Sequence, residues 1–166
     1  MRIAEVHAIL KNELFPDHGI CFVTFRDYIV IFGDKGGGGL RMTIQECYQK
    51  LGGDFEKVKT RLPSVSLITK FITKFLDDSS FSELCRALEE GQREEAFRAA
   101  HTLKGVCANL GFDQLGASAC KLTELLRPES NGVPEDAVFI LNEVKHDYES
   151  TVGAIRAYLD LERQSE

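Results

Sequence analysis

Residues 93–111 read REEAFRAAHTLKGVCANLG, and this stretch decides the fold of the chain. Apolar residues recur in it at three- and four-residue steps, which is the spacing of one buried helix face. These residues are Ala96, Ala100, Leu103, Cys107 and Leu110. Gly111 follows as a helix terminator, because glycine readily takes the left-handed conformation found at helix ends. We therefore predict one helix over residues 93–110, with a buried face and an exposed face.

The segments on either side carry the same helical periodicity. We predict further long helices over residues 64–78, 112–127 and 135–162, with shorter helices near 43–60 and 80–90. Proline or glycine stands at most breaks in the pattern, which keeps the connections short. Four amphipathic helices with short connections favour an antiparallel four-helix bundle. The predicted fold class is therefore all-α, with short additional N-terminal helices.

The same spacing predicts which side chains of the other long helices point inward. This set contains Val65, Ile68, Ile72, Phe75, Leu115, Ala119, Leu122, Leu126, Val138, Leu141, Val144, Tyr148, Val152, Ile155 and Leu159. Two helix starts are also predicted: Ser80 with Glu83 has the S-x-x-E order of a capping box, and Asp113 is a candidate N-cap. The core is expected to lie between the four long helices.

Residues 1–41 differ in composition from the rest of the chain. ICFVTF at 20–25 and YIVIF at 28–32 are rich in β-branched and aromatic residues, and GDKGGGG follows at 33–39. We predict a small β-hairpin or a disordered extension, followed by a flexible linker. The glycine run lacks the G-x-x-x-x-G-K-[ST] order of a phosphate-binding loop.

A domain boundary is predicted directly after this glycine run. Residues 1–41 form an N-terminal extension and linker of unknown role, and residues 42–166 form the helical domain. Four glycine codons, which all begin with GG, lie two codons upstream of Met42, where a bacterial ribosome-binding site belongs. Met42 is therefore a hypothetical natural start of the protein.

Charge, apolar content and cysteine spacing exclude several classes of protein. The formal net charge of −6 supplies no basic field of the kind that binds nucleic acid or anionic membranes. No apolar run has the length of a membrane span, and the amino terminus lacks a signal-peptide pattern. The five cysteines are scattered without a C-x-x-C pair, so neither a disulfide framework nor a zinc site is predicted. We expect a cytoplasmic protein without a metal site.

Three residues on the exposed face of the helix over 93–110 indicate chemistry. Helix geometry puts residues 104 and 105 beside His101, and their Cα–Cβ bonds tilt toward it. Gly105 weakens its own helix, which indicates that space is needed next to the imidazole ring. Lys104 can bring an ammonium group to that space and neutralise an anion there. The pattern indicates an exposed histidine that carries phosphate.

An exposed histidine has the right chemistry for this task. A neutral imidazole has a free ring nitrogen that can attack a phosphoryl group directly. The resulting N–P bond is labile enough to hand the group on. The plainer alternative is a surface histidine beside an accidental Lys-Gly pair.

The remaining histidines and a nearby cysteine have structural explanations. Cys107 lies six positions after His101 and faces the predicted core rather than the imidazole. His146 stands among acidic residues on the solvated face of the last helix. His7 and His18 have no ligand spacing, so no role is assigned to them.

The run from His101 to Gly105 and the Asn-Leu-Gly that ends at Gly111 resemble the signature of histidine phosphotransfer domains. These are the relay modules of multistep two-component signalling. The resemblance extends from about Met42 through the last helix. It implies a four-helix bundle whose exposed histidine shuttles phosphate between aspartates of receiver domains, without kinase activity of its own.

The resemblance also implies a role for each residue of the motif. His101 would carry the phosphoryl group, Lys104 would stabilise it, and Gly105 would give the active site of a receiver domain room to approach. A further family position on the following helix, often Gln or Glu, orients the histidine ring. Counting along the motif places this position at Thr123, whose side chain is shorter.

The resemblance further implies the partners of the chain. We expect a free-standing monomer that binds receiver domains of response regulators or hybrid histidine kinases, and the acidic net charge predicts that it binds neither nucleic acid nor membranes. No cofactor is expected, and Mg²⁺ is expected only in the partner receiver domain. The alternative is a non-catalytic helical module that binds receiver domains without turnover.

Overall fold

The computed structural model describes residues 21–25, 28–32, 42–127 and 132–164. Strands β1 (Cys21–Phe25) and β2 (Tyr28–Phe32) pair in antiparallel register, as in the predicted hairpin. They belong to one unit of the chain, and the helices belong to another. The predicted linker at 33–39 lies outside the described residues, and the boundary at Met42 stays a prediction.

The described part of the second unit folds into helices alone, so the all-α prediction is confirmed. The helices are α1 (Ile44–Lys50), α2 (Phe55–Arg61), α3 (Val65–Phe75), α4 (Ser80–Glu89), α5 (Arg93–Leu110), α6 (Asp113–Leu125) and α7 (Ala137–Arg163). Helix α5 has the predicted bounds and packs most extensively against α4 and α6, while α6 also packs against α7. The four predicted long helices are α3, α5, α6 and α7.

The segment near 43–60 contains two helices, α1 and α2, separated by a glycine turn. Thr43 and Glu46 form a capping box at the start of α1, with the Thr43 amide donating to the Glu46 carboxylate at 2.7 Å. Gly52, just after α1, has a left-handed φ of 65°, so the backbone leaves the helical conformation there. Asp54 caps α2 by accepting a hydrogen bond from the Lys57 amide at 2.9 Å.

The core lies where sequence periodicity places it, with two exceptions. Every predicted inward residue except Val65 and Val138 is buried or packs half-buried against the core. Val65 is 48% exposed because it begins α3, and side chains of a first turn lean past the end of their helix. Val138 is 64% exposed, because Ala137 takes the inward position at the start of α7. These two assignments were wrong.

The predicted capping box at Ser80 and Glu83 is not formed. The N-cap of α4 is Ser79, so Ser80 lies inside the helix, where its amide needs an external acceptor. Asp78 accepts that amide hydrogen bond at 3.0 Å. Glu83 instead accepts a hydrogen bond from the Ser79 hydroxyl at 2.7 Å.

The predicted N-cap role of Asp113 is also wrong. Phe112 occupies the N-cap position of α6, and Asp113 is the first helical residue. Its carboxylate pairs with the ammonium group of Lys57 at 2.8 Å and ties α2 to the start of α6. A carboxylate in the first turn still interacts favourably with the helix dipole.

Helix α7 buries polar groups that apolar spacing does not predict. Asp147 is buried and accepts a hydrogen bond from the side-chain amide of Gln114 at 2.7 Å. Thr151 is buried one turn later, and its hydroxyl donates to the Asp147 carbonyl at 2.8 Å. Each polar group therefore has a partner, which offsets the cost of removing it from water.

Burial of two free thiols makes the stability of the fold depend on alkaline pH. Burial raises the pKa of Cys47 and of Cys107 to about 12, whereas an exposed thiol ionises near 9. Between these values the unfolded chain loses thiol protons that the folded chain retains. The stabilisation is therefore complete below about pH 9 and is lost as the pH rises toward about 12.

We predict that the free energy of unfolding, measured by urea denaturation, falls across this alkaline range. Each thiol contributes a slope of up to about 1.4 kcal/mol per pH unit. Cys107→Ala should be less stable at neutral pH, because it leaves a cavity, yet its stability should depend less on alkaline pH. An unchanged slope in this variant would contradict the assignment.

Candidate functional site

Helix α5 is held at both ends, which fixes the orientation of its exposed face. At its start, the Arg93 guanidinium donates to backbone carbonyls at 2.5 to 3.2 Å. These carbonyls belong to Leu125, Leu126, Arg127 and Gly132, and they tie α5 to the end of α6 and the segment after it. At its end, the Tyr48 hydroxyl donates to the Leu110 carbonyl at 2.9 Å. The middle of α5 is therefore a platform anchored at both ends.

His101 lies on the exposed face of this platform, as predicted. One turn earlier, the half-buried ring of Phe97 lies with its centroid 6.0 Å from that of the imidazole, at an interplanar angle of 59°. This separation is typical of tilted aromatic pairs. Phe97 supports one side of the ring, while the rest of the imidazole faces solvent.

Gly105 leaves open space one turn after His101. A Cβ atom built at Gly105 would have no heavy atom within 4 Å, and its backbone is helical. Gly111 differs, because it has a φ of 69° and a Cβ there would come within 2.8 Å of the Asp54 carbonyl oxygen. The fold thus requires glycine at 111 but not at 105. The packing of the described residues therefore does not explain the glycine at 105.

Lys104 borders the same space and faces an acidic residue of α6. Its ammonium nitrogen lies 3.9 Å from Oε1 of Glu124, and both side chains are partly exposed. Glu124 is held from its other side by Arg127, whose Nε lies 2.7 Å from Oε2. The hydrogen bond from Arg127 is the main cause that lowers the pKa of Glu124, and the charges of Arg127, Lys104 and His101 act in the same direction.

Glu124 borders the candidate site, and sequence reasoning did not select it. A Glu or Gln was expected on the helix that follows His101, but the count along the motif led to Thr123. Thr123, which the count along the motif selected, is buried, and its hydroxyl donates to the Ala119 carbonyl of its own helix at 2.7 Å. The structure therefore brings His101, Lys104 and Gly105 together and places Thr123 inside the bundle. A ring-orienting role for Thr123 stays a prediction.

The other candidate residues lie apart from this site. Cys107 is buried on the inner face of α5, and its raised pKa makes it a poor nucleophile. His146 lies exposed on α7, as predicted. His7 and His18 lie outside the described residues. Within the described ranges, no three His, Cys, Asp or Glu side chains lie close enough to hold a metal ion.

Comparison with known proteins gives one match. A sequence model of the family described as Hpt domain matches residues 67–162, which is more than half of the chain and includes the whole of α4, α5 and α6. No curated protein and no solved structure matches the chain. Among the helices of the described part, none combines the length and the apolar character needed to cross a membrane.

The open space at Gly105 generates a prediction in which stability and activity separate. Gly105→Ala should raise the free energy of unfolding by up to ~1 kcal/mol, because alanine favours a helix interior. Gly105→Leu should keep the melting temperature yet slow phosphoryl uptake by His101 from a phosphorylated receiver domain, because the new side chain leans toward the ring. Thermal denaturation and transfer rates measure the two effects.

Gly153 supplies the matched control. It is an exposed glycine inside α7, and a Cβ there also has no heavy atom within 4 Å. Gly153→Leu should therefore change stability as Gly105→Leu does while leaving transfer at the parent rate. If both leucine variants transfer at that rate, Gly105 does not serve access to His101.

Proposed function

This chain belongs to the Hpt domain family, and we propose on that basis that His101 accepts a phosphoryl group from the phospho-aspartate of one receiver domain and passes it to the aspartate of another. Membership of the family implies a function in phosphorelays and partners of the receiver type. The direction from receiver to receiver and the use of His101 are the parts that we propose.

One observation carries the proposal: an exposed imidazole on a helix anchored at both ends lies next to a lysine and to the open space at a glycine, both one turn later. His101 is exposed, Lys104 lies three residues later on the same helix, and a Cβ atom at Gly105 would have no heavy atom within 4 Å. A receiver domain must bring a buried aspartate to the histidine, so its surface needs this freedom. A bulky residue at 105 would keep the two reacting groups apart.

The reaction needs no catalytic base in this chain. The lone pair on the unprotonated ring nitrogen of His101 forms the N–P bond as the P–O bond of the acyl phosphate breaks. The aspartate leaves as a carboxylate with the electron pair of that bond, and the proton on the other ring nitrogen stays in place. The product carries a positive ring and a doubly negative phosphoryl group. Lys104 can then offset part of that charge.

The chain would therefore act as a carrier and not as a kinase. We propose that it works as a cytoplasmic monomer without a cofactor of its own. Any Mg²⁺ would belong to the receiver domain, where it would neutralise charge on the acyl phosphate. After transfer to His101, the same geometry serves the reverse reaction toward an acceptor aspartate.

We predict that His101→Gln abolishes phosphoryl transfer while its helix content stays at the parent value, because the residue is exposed. The assay uses receiver domains encoded in the same genome, labelled with radioactive phosphate, and follows label into this chain as an acid-labile, base-stable bond. His146→Gln replaces another exposed histidine and should transfer normally. Label that still enters the His101→Gln chain would refute the assignment. Binding of receivers without transfer by the parent chain would identify an interaction module instead.

A further inference from the structure

Glu124 stands where it can oppose the phosphorylated state of His101. It approaches Lys104 to 3.9 Å from the neighbouring helix, so the ammonium group that would meet a phosphoryl group already faces a carboxylate. Arg127 is the main cause that lowers the pKa of the Glu124 carboxyl group, and the charges of Lys104 and His101 contribute in the same direction. Arg127 holds Glu124 at this place through a second contact.

A carboxylate at this position has two effects on a phosphoryl group. It competes with that group for Lys104, and it repels the added negative charge directly. The pair with Lys104 stabilises the unphosphorylated chain, and the repulsion raises the free energy of the phosphorylated chain, so both effects disfavour the phosphorylated state. A phosphorylated state of higher free energy favours transfer, because a carrier that binds the phosphoryl group too favourably does not pass it on.

We propose that Glu124 is a positioning residue that holds Lys104 in the unphosphorylated chain and competes with the phosphoryl group for it, which favours transfer from His101 to an acceptor. This inference rests on the proposed carrier function and adds to it a control of the transfer equilibrium. Thr123 cannot act in this way, because it is uncharged and its hydroxyl is bonded within α6.

The test uses a small phosphoryl donor, so that no receiver domain is needed. Phosphoramidate transfers its phosphoryl group to the imidazole as its own N–P bond breaks and ammonia leaves. At a fixed ratio of phosphoramidate to ammonium, the ratio of phosphorylated to unphosphorylated chain, after subtraction of the value for His101→Gln, reports the free energy of phospho-His101. Intact mass spectrometry at neutral pH measures this ratio in the full chain.

We expect Glu124→Gln to raise this ratio by about two- to fivefold at low salt, the range expected for partly exposed charge pairs. The effect should shrink toward none at ~1 M salt, where screening is nearly complete. A purely structural role would not give this salt dependence. In a Lys104→Ala background the effect of Glu124→Gln should be smaller, because competition for the ammonium group is gone.

Glu143→Gln is the control for the loss of one negative charge. Glu143 pairs with Lys121 at 2.6 Å between α7 and α6, and its substitution should leave the ratio unchanged. An equal or lower ratio in Glu124→Gln than in the parent chain would overturn the inference alone. A parent chain that takes no phosphoryl group at His101 would overturn the proposed function, and the inference with it.

Discussion

Burial of one face of α5 is the constraint on which the rest of the structure depends. Small residues, Ala96, Ala99 and Ala100, let the neighbouring helices pack closely, and Leu103 and Cys107 fill the core below them. Because that face is committed to the bundle, the opposite face with His101 must meet solvent. Arg93 and Tyr48 then fix both ends of the helix through bonds to backbone carbonyls. One amphipathic helix thus both fills the core with its inner face and exposes His101 on its outer face.

The sequence predicted those parts of the fold that depend on periodicity within a helix. The bounds of α5 follow from its apolar spacing and from Gly111, whose left-handed φ of 69° ends it. Features that depend on contacts between helices could not be predicted in this way. The hydrogen bond from Gln114 to the buried Asp147 joins α6 to α7, and nothing in the local pattern of either residue indicates it. The sequence pattern at the start of α4 likewise does not show that the Ser79 hydroxyl donates to Glu83 or that Asp78 accepts from the Ser80 amide.

The candidate site shows the same difference between contacts within one helix, which the sequence predicts, and contacts between helices, which it does not. His101, Lys104 and Gly105 share one helix, so helix geometry alone brings them together, whereas the partner from α6 depends on how that helix is rotated. Successive residues of a helix are turned by about 100° from one another. One position therefore separates Thr123, which points into the bundle, from Glu124, which reaches Lys104. A count along a motif does not show which of two neighbouring side chains faces Lys104, because that depends on the rotation of α6.

The central claim is that a ring nitrogen of His101 carries the phosphoryl group. Locating that group in the phosphorylated chain tests the claim most directly. The parent chain, incubated with a phosphorylated receiver domain and kept at neutral pH, can be fragmented by electron transfer, which preserves labile N–P bonds. The account predicts that fragments containing His101 carry the phosphoryl mass and that those lacking it do not. A phosphoryl group found on any other side chain, with His101 unmodified, would contradict the account.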